Sequence, residues 1–81
     1  MTLHVQYFAR YRETLGLDSE TVPDEFATVD ALRQHLLQRG AQWRVLAEAN
    51  IMCARNQELC SLHEPLQAGD EVAFFPTVTG G

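Results

Sequence analysis

The chain closes on Gly80-Gly81, directly behind the run Asp70-Glu71-Val72-Ala73-Phe74-Phe75-Pro76-Thr77-Val78-Thr79. Two residues without a Cβ let a backbone enter a channel too narrow for any other residue, and they leave the final carbonyl unshielded on both faces. Such an end suits acyl chemistry carried out on a C-terminal carboxyl by another protein. A terminal carboxyl has a pKa near about 3.3–3.7 and is ionised at neutral pH, so it is a poor electrophile. Activation is obligatory. A leaving group must first be placed on the acyl carbon before a nucleophile can attack it. The sequence carries no glycine-rich phosphate loop, no paired acid and base carboxylates and no cluster with metal-ligand spacing. No ATP, other cofactor or metal is therefore expected to be bound by this chain.

The energetics of the tail set what a partner must do. Residues 76–81 reach about 20 Å when extended, enough to cross into a buried site. Ordering them costs roughly 6–12 kcal/mol, whereas burying Phe75 and Val78 returns only about 3–6 kcal/mol. The tail cannot hold a complex alone. A second interface is expected on the exposed face of the last strand, with Phe75 as its anchor, because Phe75 points opposite to Phe74 while Val72 and Phe74 face the core. The candidate site is thus Gly81 as the reacting terminus, with Gly80, Thr79, Val78, Pro76 and Phe75 as the residues a partner grips.

The other reactive side chains offer less. Cys53 and Cys60 stand opposite each other if Asn56-Gln57 is a two-residue turn pairing Arg55 with Glu58. A disulfide is then conceivable, although reduced thiols are the expectation for a cytosolic chain. His4, His35 and His63 are far apart and show no ligand spacing. Lysine is absent altogether. That is either compositional drift or a benefit to a chain whose activated terminus would otherwise meet its own amines.

The elements that must position the tail are legible from pattern. Residues 2–8 alternate, with Leu3, Val5 and Tyr7 on one face, and read as a half-buried strand. Residues 9–15 read as two helical turns ending at Gly16, a residue free to take positive φ. Asp18 to Val22 is a weaker strand ending at Pro23-Asp24. Thr28 is placed to cap a helix with Asp30 in its first turn, a buried stripe of Val29, Leu32 and Leu36, and Arg39 in its last turn before Gly40. Gln42 to Glu48 adds a short helical segment with Trp43, Leu46 and Ala47 inward, closed by Asn50. Residues 51–55 and 59–62 read as strands joined at Asn56-Gln57, and residues 71–75 as the last strand. Two hairpin-like arms around one crossing helix make an α+β domain of the β-grasp kind, a mixed sheet with the main helix on one face. The division is a β-grasp domain at residues 1–75 and an extended tail at residues 76–81, with the first and last strands side by side.

Composition excludes several classes. The 81 residues make one small domain, 46% hydrophobic and 21% charged, which is ordinary for a globular protein. No apolar run approaches the roughly 20 residues of a bilayer span, and the N-terminus lacks the pattern of a secretory signal, so the cytoplasm is expected and no membrane partner. Net charge is −5 with the arginines scattered, which argues against nucleic acid and suits a basic protein partner.

With these residues in view, the chain resembles the ubiquitin-like β-grasp sulfur carriers, and within them the small subunits of molybdopterin synthases, along essentially its whole length. The segments that carry the likeness are Phe8-Ala9-Arg10-Tyr11-Arg12-Glu13 with Leu15-Gly16, then Thr28-Val29-Asp30-Ala31-Leu32-Arg33, and above all Gly69-Asp70-Glu71-Val72-Ala73-Phe74-Phe75-Pro76 leading to Val78-Thr79-Gly80-Gly81. The related thiamine-pathway carriers also end in Gly-Gly but tend to be shorter and lack Phe-Phe-Pro. The resemblance implies that an activating enzyme adenylates the Gly81 carboxylate with ATP and that a sulfur donor protein converts it to a thiocarboxylate. The tail then enters the large subunit of the synthase and gives its sulfur to cyclic pyranopterin monophosphate, two transfers building a dithiolene. It also implies a heterotetramer in which the catalytic side chains lie on the large subunit and this chain donates sulfur. Delivery to thiamine or tRNA, or conjugation to proteins as a ubiquitin-like modifier, are the alternatives. Two positions depart from the family pattern: Thr77 replaces a common second proline, loosening the free tail by about 0.4–1 kcal/mol of unfolded-state entropy, and Arg55 occupies a strand position where an aliphatic residue is usual.

Overall fold

A computed structural model of the protein describes residues 1–77. Strand β1 (Thr2–Tyr7) follows the alternation of its sequence, with Leu3, Val5 and Tyr7 buried. Helix α1 (Ala9–Leu15) stops at Gly16, which takes φ 75 and donates its N–H to the Arg12 carbonyl. That is the left-handed closure glycine permits without a Cβ clash. Strand β2 (Ser19–Pro23) is displaced by one residue from the expected Asp18 to Val22, so Pro23 falls inside it. The proline is tolerated because β2 is an edge strand and needs no outward N–H.

Helix α2 (Val29–Leu37) starts where Thr28 predicts: the Thr28 Oγ1 accepts from the Ala31 N–H at 3.1 Å, and Val29, Leu32 and Leu36 are buried. It ends sooner than expected. His35, not Arg39, is the basic residue of its last turn. Arg39 lies beyond the helix, donates to the Glu20 carboxylate at 2.8 and 3.0 Å, and covers the Trp43 ring at 4.7 Å. The next segment is a 3₁₀ helix, Ala41–Ala47. Its period of three residues places Trp43 and Leu46 inside and leaves Ala47 exposed, which corrects the inward placement of Ala47.

Strands β3 (Met52–Arg55) and β4 (Glu58–Cys60) are joined by Asn56 and Gln57 at φ 51 and 71. Two positive φ values mark the turn whose twist matches a two-residue hairpin. Arg55 pairs with Glu58 and Cys53 with Cys60, as the spacing requires, although β4 begins before Leu59 and ends before Leu62. Strand β5 (Glu71–Phe75) has the expected bounds.

The five strands form one mixed sheet in the order β2-β1-β5-β3-β4, with β1 and β5 parallel and the other pairs antiparallel. The helices cover one face. Leu3, Val5, Tyr7, Val72 and Phe74 from the sheet meet Val29, Leu32 and Leu36 from α2, with Tyr11, Trp43 and Leu46 closing the sides. The Tyr7 ring stacks on Phe74 at 6.5 Å and meets Trp43 edge-on at 5.7 Å. This is the α+β, β-grasp arrangement that the order of elements implies. Among the described residues no helix is long and apolar enough to cross a membrane.

Candidate functional site

Everything that aims the chain end converges on β5. It lies between β1 and β3, so both of its edges are hydrogen-bonded, and Val72 and Phe74 are completely buried. Burial of each side chain is worth about 1.5–3 kcal/mol, which makes the strand a fixed platform. Because β1 and β5 are parallel, their C-terminal ends share one end of the sheet, where the Phe8 N–H donates to the Phe74 carbonyl at 3.2 Å.

The start of β5 is fixed by a polar lock that sequence reading did not anticipate. Asp70 is only 7% exposed, and its carboxylate accepts from the Arg55 Nε at 2.7 Å, the Asn56 Nδ2 at 3.1 Å and the Gln67 N–H at 2.8 Å. The Arg55 Nη1 also reaches the Glu64 carboxylate at 3.0 Å. Arg55, the unusual strand residue, is thus the cation that ties the hairpin to the loop before β5. Burial alone pushes the Asp70 carboxyl up, but the donors from Arg55, Gln67 and Asn56 outweigh it and hold the group below the usual carboxylate range.

At the far end, Phe75 points away from the core and pairs in register with Met52, and both are half-buried. Pro76 follows, also half-buried. Thr77 then donates its hydroxyl to the Asn50 carbonyl, continuing the direction of the β5–β3 pairing two residues past Met52. Two residues before Asn50, Glu48 is tied to α1, accepting from Arg10 at 2.5 and 2.7 Å and from the Tyr11 hydroxyl at 2.6 Å. Those donors, Arg10 first, hold the Glu48 carboxyl below its ordinary value. Val78, Thr79, Gly80 and Gly81, the remaining predicted site residues, lie outside the described residues.

The open face of the sheet divides chemically. Its β1 side is polar, and Gln6 donates to the Glu71 carboxylate at 3.2 Å. Its other side is apolar: Phe75 against Met52, Ala73 against Ala54, and Ala54 against Leu59, which is 69% exposed. Sequence reasoning named Phe75 but missed Met52, Ala54 and Leu59. The register through the Asn56-Gln57 turn was the signal that groups them on one face with Phe75. Phe8, 43% exposed, was expected as the last residue of the first strand but lies just past β1 as the N-cap residue of α1. Such a contiguous apolar area, rimmed by polar groups and continuous with the tail exit, is suited to a protein partner. Among the described residues there is no group of side chains able to hold a metal ion.

Comparison with known proteins agrees with this geometry. The chain is 45% identical over 80 residues to the molybdopterin synthase sulfur carrier subunit of Haemophilus influenzae, covering 98% of this chain and 99% of the relative. It is 46% identical, with the same coverage, to the molybdopterin synthase sulfur carrier subunit of Escherichia coli. The crystal structure of SAMP1 from Haloferax volcanii superposes with a TM-score of 0.81 at 29% identity, covering 100% of both chains. Residues 5–81 match the ThiS family, from the middle of the first strand through Gly-Gly, and the chain belongs to that family.

Proposed function

We propose that the chain is the sulfur carrier subunit of a molybdopterin synthase acting in the cytoplasm. An adenylating enzyme uses ATP to activate the Gly81 carboxylate, a sulfur donor protein converts the acyl-adenylate to a thiocarboxylate, and the tail delivers the sulfur to cyclic pyranopterin monophosphate inside the large subunit. The observation that carries this reading is the construction of β5, a doubly paired strand whose end holds the half-buried Phe75 and Pro76 immediately before the Gly-Gly terminus of the sequence. Identity of 45–46% over 98% of the chain to two molybdopterin synthase sulfur carrier subunits supports the assignment.

The division of labour follows from the chemistry. This chain contributes a reacting atom and a docking surface, while charge stabilisation of a phosphorylated, anionic substrate falls to a partner richer in cations than a chain of net charge −5. The apolar patch of Met52, Leu59, Ala73 and Phe75 supplies the binding energy the tail lacks. Tight engagement of that patch offsets the cost of ordering residues 76–81 in the partner's channel.

The test is reconstitution. Thiocarboxylated protein mixed with a large subunit and cyclic pyranopterin monophosphate is expected to yield the dithiolene product, and protein lacking Gly81 is expected to yield none. Product formation independent of Gly81 overturns the proposal, as does recovery of the chain in amide linkage to lysines of other proteins with no sulfur transferred.

A further inference from the structure

Behind the edge of the sheet lies a second reactive centre that sulfur delivery does not use. A hollow of about 260 Å³ is lined by Arg55, Asn56, Glu58, Leu59, Cys60 and Glu64. Cys60 is partly exposed at this hollow, and Cys53, 2% exposed, stands directly opposite it on β3. The two Sγ atoms are 3.7 Å apart, and the Cys53 thiol donates to the Cys60 carbonyl at 3.3 Å. Directly opposed residues on antiparallel strands have Cα atoms about 4.5–5.5 Å apart, within the span of about 4.4–6.8 Å that a disulfide bridges without backbone movement.

We propose that Cys60 and Cys53 form a thiol–disulfide exchange site for low-molecular-weight disulfides, with Cys60 as the entering thiol and Cys53 as the resolving one. The order of events follows from access and from the placement of the protons. Cys60 opens on the hollow, whereas Cys53 is sealed beneath it, against Phe74 in the β5 register. Burial, with the contact to Cys60, pushes the Cys53 thiol up to about 12, so it keeps its proton. Burial raises Cys60 as well, with the contact to Cys53 acting in the opposite sense, so it is access to the hollow that makes Cys60 the entering thiol.

The exchange balances as follows. The Cys60 thiolate attacks one sulfur of the small disulfide, the S–S bond of that disulfide breaks, and one thiolate leaves and takes up the proton Cys60 lost. Cys53 then attacks the Cys60 sulfur, giving up its proton to solvent base as the new S–S bond forms, and the second small thiolate is expelled and protonated in turn. Two protein thiols are oxidised by two electrons, and one small disulfide is reduced to two thiols. The product staples β4 to β3, the strand that flanks Phe75.

The site stands apart from the proposed sulfur carriage, and its test needs no synthase. Native protein is incubated with glutathione disulfide without denaturant, quenched with an alkylating reagent, and weighed intact. The wild type is expected to lose two hydrogens, retain no glutathione and resist alkylation, with peptide mapping linking Cys53 to Cys60. Cys53→Ala is expected to hold one glutathione on Cys60, and Cys60→Ala to react at least about tenfold more slowly because its remaining thiol is buried. Wild type that keeps both thiols free or carries glutathione without an internal bridge overturns the proposal. So does a folded Cys60→Ala protein that reacts as fast as Cys53→Ala. The wild-type arm involves no substitution, so it decides the pairing even where a variant fails to fold.

Discussion

Asp70 accepts from the Arg55 Nε at 2.7 Å, and this pair fastens the loop that launches β5 to the hairpin that runs beside it. Because Asp70 titrates lower in the folded chain than its ordinary value, its stabilisation is fully present above about pH 4 and is lost as the pH falls through the folded-state value. Asp70→Asn is expected to cost about 1–3 kcal/mol at neutral pH, since donors built for a carboxylate are left poorly matched. It is also expected to flatten the acid limb of stability against pH. Urea midpoints between neutrality and the acid transition check both; an unchanged acid limb would show that other carboxylates carry it.

Phe74 and Phe75 are neighbours with opposite jobs. Phe74→Ala removes a fully buried ring and is expected to destabilise by about 3–5 kcal/mol. Phe75→Ala is expected to shift stability by less than about 1 kcal/mol, yet to weaken binding to a large subunit at least tenfold, or about 1.4 kcal/mol. Thermal unfolding and a titration of the complex, run on the same two variants, separate the effects.

Removal of the α2 cap by Thr28→Ala leaves the Ala31 N–H without its side-chain acceptor and is expected to cost about 1 kcal/mol. For a domain of this size that corresponds to about 4–8 °C in Tm. Calorimetry is the direct check.

Gln57 sits at φ 71, a conformation that costs an L-residue about 1–2 kcal/mol. Gln57→Gly relieves that strain and gives back part of the gain in unfolded-state entropy, for an expected net stabilisation of about 0.5–1 kcal/mol. Asn56→Gly is expected to act oppositely despite the similar φ. The Asn56 side chain donates to Asp70 and accepts the Glu71 N–H at 3.0 Å, and glycine forfeits both bonds. Chemical denaturation of the two variants distinguishes turn strain from the side-chain lock.

Local signals were legible in the sequence, and contacts set by distant residues were not. The alternation of Leu3, Val5 and Tyr7 in a strand expected over residues 2–8 and found at Thr2–Tyr7, the Thr28 cap, Gly16 and the positions of Val72 and Phe74 all report on neighbours within one element, and each of these residues lies where its pattern placed it. The 3₁₀ winding at Ala41–Ala47 is indistinguishable in composition from a short α-helix, so Leu46, three residues after Trp43, was placed inward correctly while Ala47, four residues after it, was misread. Arg39 looked like a helix C-terminal charge because its partners, Glu20 and Trp43, come from other elements. Arg55 looked anomalous for the same reason, its carboxylates being Asp70 and Glu64. For the site, Phe75 was legible from parity alone, whereas Met52, Ala54 and Leu59 needed the hairpin register carried across to β5.

The central claim is that the Gly81 carboxylate is loaded with sulfur by other proteins. Its most direct test is the intact mass of the full chain after incubation with an adenylating enzyme, ATP and a sulfur donor. The predicted result is a mass gain equal to exchange of one oxygen for sulfur, absent without ATP and absent when Gly81 is deleted. A mass that does not change in the complete reaction, or the same gain in the chain lacking Gly81, would contradict it.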